Sequence, residues 1–457
     1  MSLGRRFDTS LRKVELIGVR CILRVYKREF SSSHLSSLNH PTTITTITTM
    51  SRREQSDYSI ASLSDSVKSM AINTLRIASQ PFTEQEINNS TPEQILQRML
   101  STTSYISTTS SLATKHQRAK EIPNSVRFFE ELGKGQCGTV YGFMGSSTVV
   151  KLANHEGKHE ELGTDYRMHT RVHEATREHD PDHEISARLP KVYAFIGPES
   201  EFWNECGLLF DTQVKVRGYG LESERIFPAP LPVREALVDA LLPPVIKRDR
   251  DKFLAQPENK NCLVRMYLGR RYTTKVQGKV RNLKLQNFPL HVNEMEDLGL
   301  DTGHFARLMA NTLAIIHWGA KVDGNDIEFV LGSSPVQTKT PTSKELETLK
   351  LWKMAKACDL QFTRRTMEMW ILDFNQCSPV GDDEAAIDKM VRAFIYNDPY
   401  YPRPSQSNEN DRKLWSVFRQ TYLKMSGRLT KSTNPVKFIE TVEEQSKKTQ
   451  KYIDGLF

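Results

Sequence analysis

The chain has 457 residues, of which 38% are hydrophobic and 26% charged, and no run of eighteen uncharged apolar residues could make a bilayer-spanning helix. Its formal charge of +8 is concentrated at the start, where residues 1–50 hold eight Lys/Arg against three Asp/Glu. Residues 126–457 carry a surplus of only two, which argues against a broad nucleic-acid surface on the main body.

Residues 1–30 are Arg-rich, and Arg28-Glu29-Phe30-Ser31 resembles a mitochondrial processing site. The same stretch also reads as a basic tail, or as sequence upstream of a start at Met50. Eleven of residues 31–50 are Ser or Thr, and Ser101 to Thr114 has the same bias. Such composition buries too little apolar surface to offset its ordering entropy. Ser66 to Ala78 and Pro92 to Met99 carry short amphipathic patterns consistent with small helices. Residues 1–125 are therefore expected to form a mostly disordered extension.

Order is expected from Val126, with strands over Val126 to Leu132, Thr139 to Met144 and Thr148 to Leu152, the last two joined by Gly145-Ser146-Ser147. A polar helix is predicted from Glu156 to His179. In and around it stand three His pairs at i, i+4 spacing, 155/159, 169/173 and 179/183. Without H-E-x-x-H these read as a solvated face rather than a zinc site. Strand-like runs follow at Leu189 to Ile196, Leu208 to Val216, Gly220 to Ile226 and Cys262 to Leu268. Either of the last two could lead out of the first sheet. Apolar residues at helical spacing then mark 305–316, with Thr302 as N-cap, 387–395 and 414–422. A sheet-rich part over 126–280 and a helical part over 281–457 predict an α+β protein of two lobes. Six dispersed cysteines without C-x-x-C predict neither structural zinc nor disulfides.

Gly133-Lys134-Gly135-Gln136-Cys137-Gly138-Thr139-Val140 matches G-x-G-x-x-G-x-V. A dinucleotide fold would need a helix after the third glycine, and a Walker loop would need Gly-Lys-Ser/Thr. A strand and hairpin follow instead, the arrangement that covers ATP phosphates in protein kinases. Lys151 in Thr148-Val149-Val150-Lys151-Leu152 resembles the phosphate-pairing lysine, and Asp165 rather than Glu161 is its expected partner on the next helix. After the helix at 303–318, Asp323 falls at the catalytic aspartate position and Glu328 at that of the metal-binding asparagine. Asp373 in Asp373-Phe374-Asn375 falls at the aspartate that holds Mg²⁺. Lys321-Val322 in place of His-Arg and the carboxylate of Glu328 depart from that pattern. The long basic segment over 332–368 and the absence of A-P-E depart from it too, and bring the chain closer to small-molecule phosphotransferases.

Further stretches, among them Cys262 to Arg271, Met295 to Leu300, Asp326 to Gly332 and Asn397 to Pro402, resemble a fungal family of uncharacterised proteins. Some of its members carry a zinc-finger label. The joint resemblance implies a kinase-like protein that binds ATP and Mg²⁺, with phosphoryl transfer to an unidentified acceptor. Gly133, Gly135, Gly138, Lys151 and Asp165 would hold the nucleotide, Glu328 and Asp373 the metal, and Asp323 would orient the acceptor. Two alternatives stand beside it, a kinase-like scaffold without turnover and a transcription-associated regulator. The expected compartment is the cytoplasm or nucleus, or the mitochondrion if the leader reading holds.

Overall fold

The computed structural model describes residues 81–101, 105–107, 128–210, 218–272, 283–337, 360–404 and 408–454. The leader, the Ser/Thr tract at 31–50, Met50, and the helix expected at 66–78 lie outside these residues. The fold is a mixed α+β arrangement of two sheets and packed helices.

The first ordered elements lie within the stretch expected to be disordered. Strand β1 (Pro81–Phe82), helix α1 (Pro92–Leu100) and strand β2 (Tyr105–Ser107) are built into the fold. Thr91 caps α1, accepting from the Gln94 N–H while the Gln94 side chain accepts from the Thr91 N–H. This helix buries Leu96, Met99 and Leu100 completely in the main core. Its apolar stripe was legible, but not the surface it would meet.

Strands β3 (Phe129–Lys134), β4 (Gly138–Phe143) and β5 (Thr148–Ala153) form an antiparallel meander. Helix α2 (His159–His179) follows. Strands β6 (Val192–Ile196) and β7 (Gly220–Glu224) complete a five-stranded sheet in the order β3-β4-β5-β7-β6. Leu208 and Leu209, expected in a strand, sit in a 3₁₀ turn, and 211–217 lie outside the described residues. Cys206 is disulfide-bonded, against the expectation of no disulfides. The 169/173 pair, which lies wholly within α2, does not form the solvated face expected of it. His169 is buried, with Nε2 2.7 Å from the Pro190 carbonyl oxygen.

Helix α3 (Leu231–Leu241) packs against α1. Strands β8 (Val264–Tyr267), β9 (Phe288–His291), β10 (Glu328–Gln337) and β11 (Leu360–Leu372) join a second sheet in the order β1-β2-β11-β10-β8-β9. Strand β8 was expected within the sheet-rich part ending at 280. It pairs instead with β10 and β9, so the first sheet ends with β7 near residue 224. The basic segment expected as an insertion over 332–368 is partly strand, since β10 and β11 run into it as one long hairpin. Between β9 and β10 lies helix α4 (Thr302–Ala314), capped by Asp301 rather than Thr302 and continued by a π-helical turn over Ile315–Gly319. Helices α5 (Glu384–Tyr396), α6 (Glu409–Leu429) and α7 (Asn434–Asp454) close the chain.

The two sheets meet along two backbone seams. Phe227 and Ser333 exchange N–H···O bonds of 3.0 and 2.7 Å. Arg188 donates its N–H to Met369 and accepts from Ile371, at 2.8 and 2.9 Å. Its guanidinium stacks 4.5 Å over Trp370 and bonds Glu368 at 2.6 Å. Beneath α4, α5 and α6, Phe394, Tyr401, Phe418, Tyr422 and Phe438 make a continuous ring cluster. His317 is buried in it, its Nδ1 2.9 Å from the Tyr422 hydroxyl. Among the described residues no helix is long and apolar enough to cross a membrane.

Two predictions follow from this packing. A chain beginning at residue 120 loses Leu96, Met99 and Leu100, each a fully buried side chain. It is expected to unfold at lower urea than the full chain, and Leu96→Ala alone to cost about 2–5 kcal/mol. Equal midpoints would contradict the docking of α1.

The second concerns acid. Burial pushes His169 down to about 4 and His317 down to about 3. Below pH ~6.5 the unfolded chain takes up protons that these folded imidazoles refuse, so stability falls as pH drops, by about 1.4 kcal/mol per unit for each His. Urea midpoints at pH 7.5 and 5.0 should show the loss, and His317→Gln should lessen its slope. A slope unchanged by that substitution would refute the assignment.

Candidate functional site

The Gly-rich turn between β3 and β4 is folded by local forces. The Gly135 N–H donates to the Gly138 carbonyl at 2.9 Å. Gly138 is required here, because a Cβ on it would stand 2.6 Å from the Leu152 carbonyl oxygen. Asn154, just past β5, fastens the turn from below. Its Nδ2 donates to the carbonyls of Gly135 (2.8 Å) and Gln136 (3.1 Å), while its Oδ1 accepts from Thr139. Sequence reasoning missed this residue. A short polar side chain directly after an apolar strand was the available signal.

Lys151 projects from β5 beneath the turn. Its Nζ donates to Asp165 Oδ2 at 2.7 Å and to Asp373 Oδ1 at 2.9 Å. Burial disfavours the charge of this lysine, but Asp165 and then Asp373 outweigh it and raise its pKa well above the ordinary value. Asp165, 3% exposed, also accepts from the Phe374 N–H through Oδ1 at 3.1 Å. One carboxylate thus joins α2 to β5 and to the segment after β11. Asp373 holds a left-handed backbone, φ 71°, a conformation that costs a non-glycine residue energy and gathers at functional sites.

These groups line one cleft of about 760 Å³, together with Gly133, Gly135, Gly138 and Glu328. Across its mouth Gln286 Nε2 lies 3.0 Å from where a Cβ on Gly133 would stand. Seven of the eight residues singled out from sequence therefore border one space. The eighth, Asp323, is not among its lining residues. Asp323 is 3% exposed. Its Oδ1 accepts from the N–H groups of Ser378 (2.9 Å) and Asn325 (3.2 Å), and Lys389 lies 3.5 Å from Oδ2. Burial raises its pKa, and those bonds oppose the shift. This carboxylate braces the loop.

Asp326, not chosen from sequence, borders the cleft instead. Its pKa is raised by burial and by the charge of Asp373. Glu328 is raised by burial as well, opposed by Arg265, whose Nη2 donates to Glu328 Oε1. Arg265 comes from β8, and no local pattern announced that it would reach a strand sixty residues away.

Asp373 and Glu328 each keep a second oxygen beyond these ion pairs. Hard carboxylate donors facing one another without full neutralisation suit Mg²⁺, which takes one or two carboxylates and completes its shell with phosphates and water. The donor set fits that ion. Among the described residues no three His, Cys, Asp or Glu side chains are grouped as a self-sufficient metal cage.

A family model described as "Zinc finger protein", for a domain of unknown function, matches residues 369–434, from the end of β11 through α6. The match supports kinship with an uncharacterised domain family over that stretch. No curated protein matches the chain. The buried cysteines Cys137, Cys262 and Cys377 have free thiols.

The Arg265–Glu328 pair generates a stability test. Arg265→Ala strands the Glu328 charge in a mostly buried setting, with an expected loss of about 2–3 kcal/mol. Adding Glu328→Gln should restore part of it. Equal unfolding midpoints for wild type and Arg265→Ala would show that the pair is too well hydrated to matter.

Proposed function

We propose that the chain is a kinase-like, Mg²⁺-dependent nucleotide-binding protein that transfers a phosphoryl group from ATP. The five-stranded sheet with α2 would serve as one lobe, and the second sheet with α3–α7 as the other. The observation that carries this reading is Lys151, held between Asp165 and Asp373 directly beneath a fastened Gly-rich turn.

In this reading the backbone of Gly133, Gly135 and Gly138 lies over the phosphates, and the Lys151 ammonium pairs with them. Asp165 keeps that ammonium charged and aimed. Asp373 and Glu328 hold Mg²⁺, which supplies charge neutralisation at the transferring group. Asp323 keeps the loop in register rather than meeting the acceptor. A second reading, a nucleotide-binding scaffold without turnover, is favoured by the grip of Arg265 on Glu328.

Binding is the first test. Mg-ADP at about one hundred times its dissociation constant should stabilise the protein by roughly 2.7 kcal/mol, seen as a rise of a few degrees in melting temperature. Lys151→Met should remove most of that rise. No shift with millimolar Mg-ADP or Mg-ATP would refute the nucleotide reading.

A further inference from the structure

Alongside its charged groups, among them Arg265, Lys284 and Glu328, the cleft is lined by four side-chain amides. Gln286, Asn287, Asn375 and Gln376 border it, with Asp326 the carboxylate among them. Asp326 has a left-handed backbone, φ 60°, and that conformation is held from outside the loop. Its N–H donates to Asn397 Oδ1 at 2.6 Å, and Asn397 Nδ2 donates to the Gly324 carbonyl at 2.9 Å. Asn397 is 4% exposed at the end of α5. A strained residue fixed by a buried amide is a side chain aimed at one place. Gln376 Nε2 completes the aim, donating to Asp326 Oδ2 at 2.6 Å.

Asn375 supplies an independent sign of a ligand. It is 8% exposed, and its Oδ1 is buried with no hydrogen-bond partner among the described residues. An orphaned buried acceptor costs about 1–3 kcal/mol, and since Asn375 borders the cleft, a small turn of its side chain would bring Oδ1 to an incoming donor. The shape of the surroundings narrows the donor's class. Only ten residues separate Asp373 from Glu384, the first residue of α5. Much of that backbone is turned inward: Ser378 bonds Asp323 in both directions, and the Val380 N–H donates to the Lys321 carbonyl at 3.0 Å. That segment offers little open backbone on which an extended peptide could lie.

Resting on the nucleotide reading above, we propose that this end of the cleft receives a small, uncharged, polyhydroxylated acceptor, one of whose hydroxyls is oriented by Asp326. A hydroxyl both donates and accepts, so neighbouring hydroxyls satisfy Asn375 Oδ1 and the amide N–H groups together. In the transfer step the acceptor oxygen forms a bond to the γ-phosphorus. The bond from that phosphorus to the β–γ bridging oxygen breaks, its electron pair leaves with ADP, and the hydroxyl proton passes to the Asp326 carboxylate.

The experiment uses the full chain with Mg²⁺ and γ-labelled ATP. The probes are myo-inositol, ribitol and glucose, set against kanamycin and dephosphorylated casein. Label is expected on at least one of the three polyols and not on casein. Asp326→Asn should lower that transfer at least about 100-fold with the Mg-ADP melting shift retained. Asn375→Ala should raise the acceptor KM by about tenfold with kcat nearly unchanged. Label on casein or kanamycin alone overturns the proposal, as does wild-type transfer by Asp326→Asn. Transfer abolished by Asp323→Asn at unchanged melting temperature, with Asp326→Asn active, restores Asp323 to the acceptor role. A wild type that binds Mg-ADP and labels none of the polyols overturns the acceptor class and leaves nucleotide binding standing. Absence of Mg-ADP binding overturns both.

Discussion

Everything in the cleft depends on a half-buried ammonium that is shared by two carboxylates. Lys151 belongs to an apolar strand, where an unpaired charge would be prohibitively costly. Asp165 on α2 and Asp373 after β11 make it tolerable, and in doing so fix three elements distant in sequence. The trio carries one positive and two negative charges, so it is short of cation by one. That deficit is local, close to Glu328 and Asp326, and on the proposed reading it is what would draw a divalent ion there.

A second layer of interactions holds the first in place. Asn154 sets the Gly-rich turn over the lysine, Asp323 braces the loop that carries Asp326 and Glu328, and Asn397 fixes the backbone at Asp326. All three are short polar side chains that bond backbone rather than substrate. Such groups cost little side-chain entropy to order, and they transmit position from rigid strands and helices to turns that would otherwise wander.

Much of this was legible because it is local. The glycines, the hairpin and Lys151 lie within nineteen residues, and their spacing alone specifies a turn above a strand. Asp165 could be picked from its place beside an inward stripe. Asp373 ends an apolar run, and its Asp-Phe-Asn resembles the D-F-G of kinases. Asp323, matched to the catalytic position by spacing, does not line the cleft while Asp326 does, because spacing to the next strand cannot reveal a left-handed backbone held by Asn397, some seventy residues on. Helix α1 and strand β8 were visible as patterns but not as neighbours. Periodicity tells which face is apolar; it does not tell what that face will meet, and both found partners in the second sheet and its core. Arg265 illustrates the same limit for charge.

The two seams between the sheets have a mechanical consequence. A cleft between layers joined by a single strand can open like a book, turning about one line. Here Phe227–Ser333 and Arg188 with Met369 and Ile371 tie the layers at two separate places. Swinging them apart about either tie breaks the paired hydrogen bonds of the other, and Arg188 would also leave Trp370 and Glu368. The more compliant wall is therefore the turn at 133–138, fastened by the Asn154 side chain and by the backbone bonds Gly135 N–H to Gly138 and Asn154 N–H to Cys137. On the proposed nucleotide reading, traffic through this cleft would pass a turn some six residues wide set against a stiffer frame. Exchange rates should then respond to the strength of the Asn154 fastening far more than to the stability of the protein as a whole.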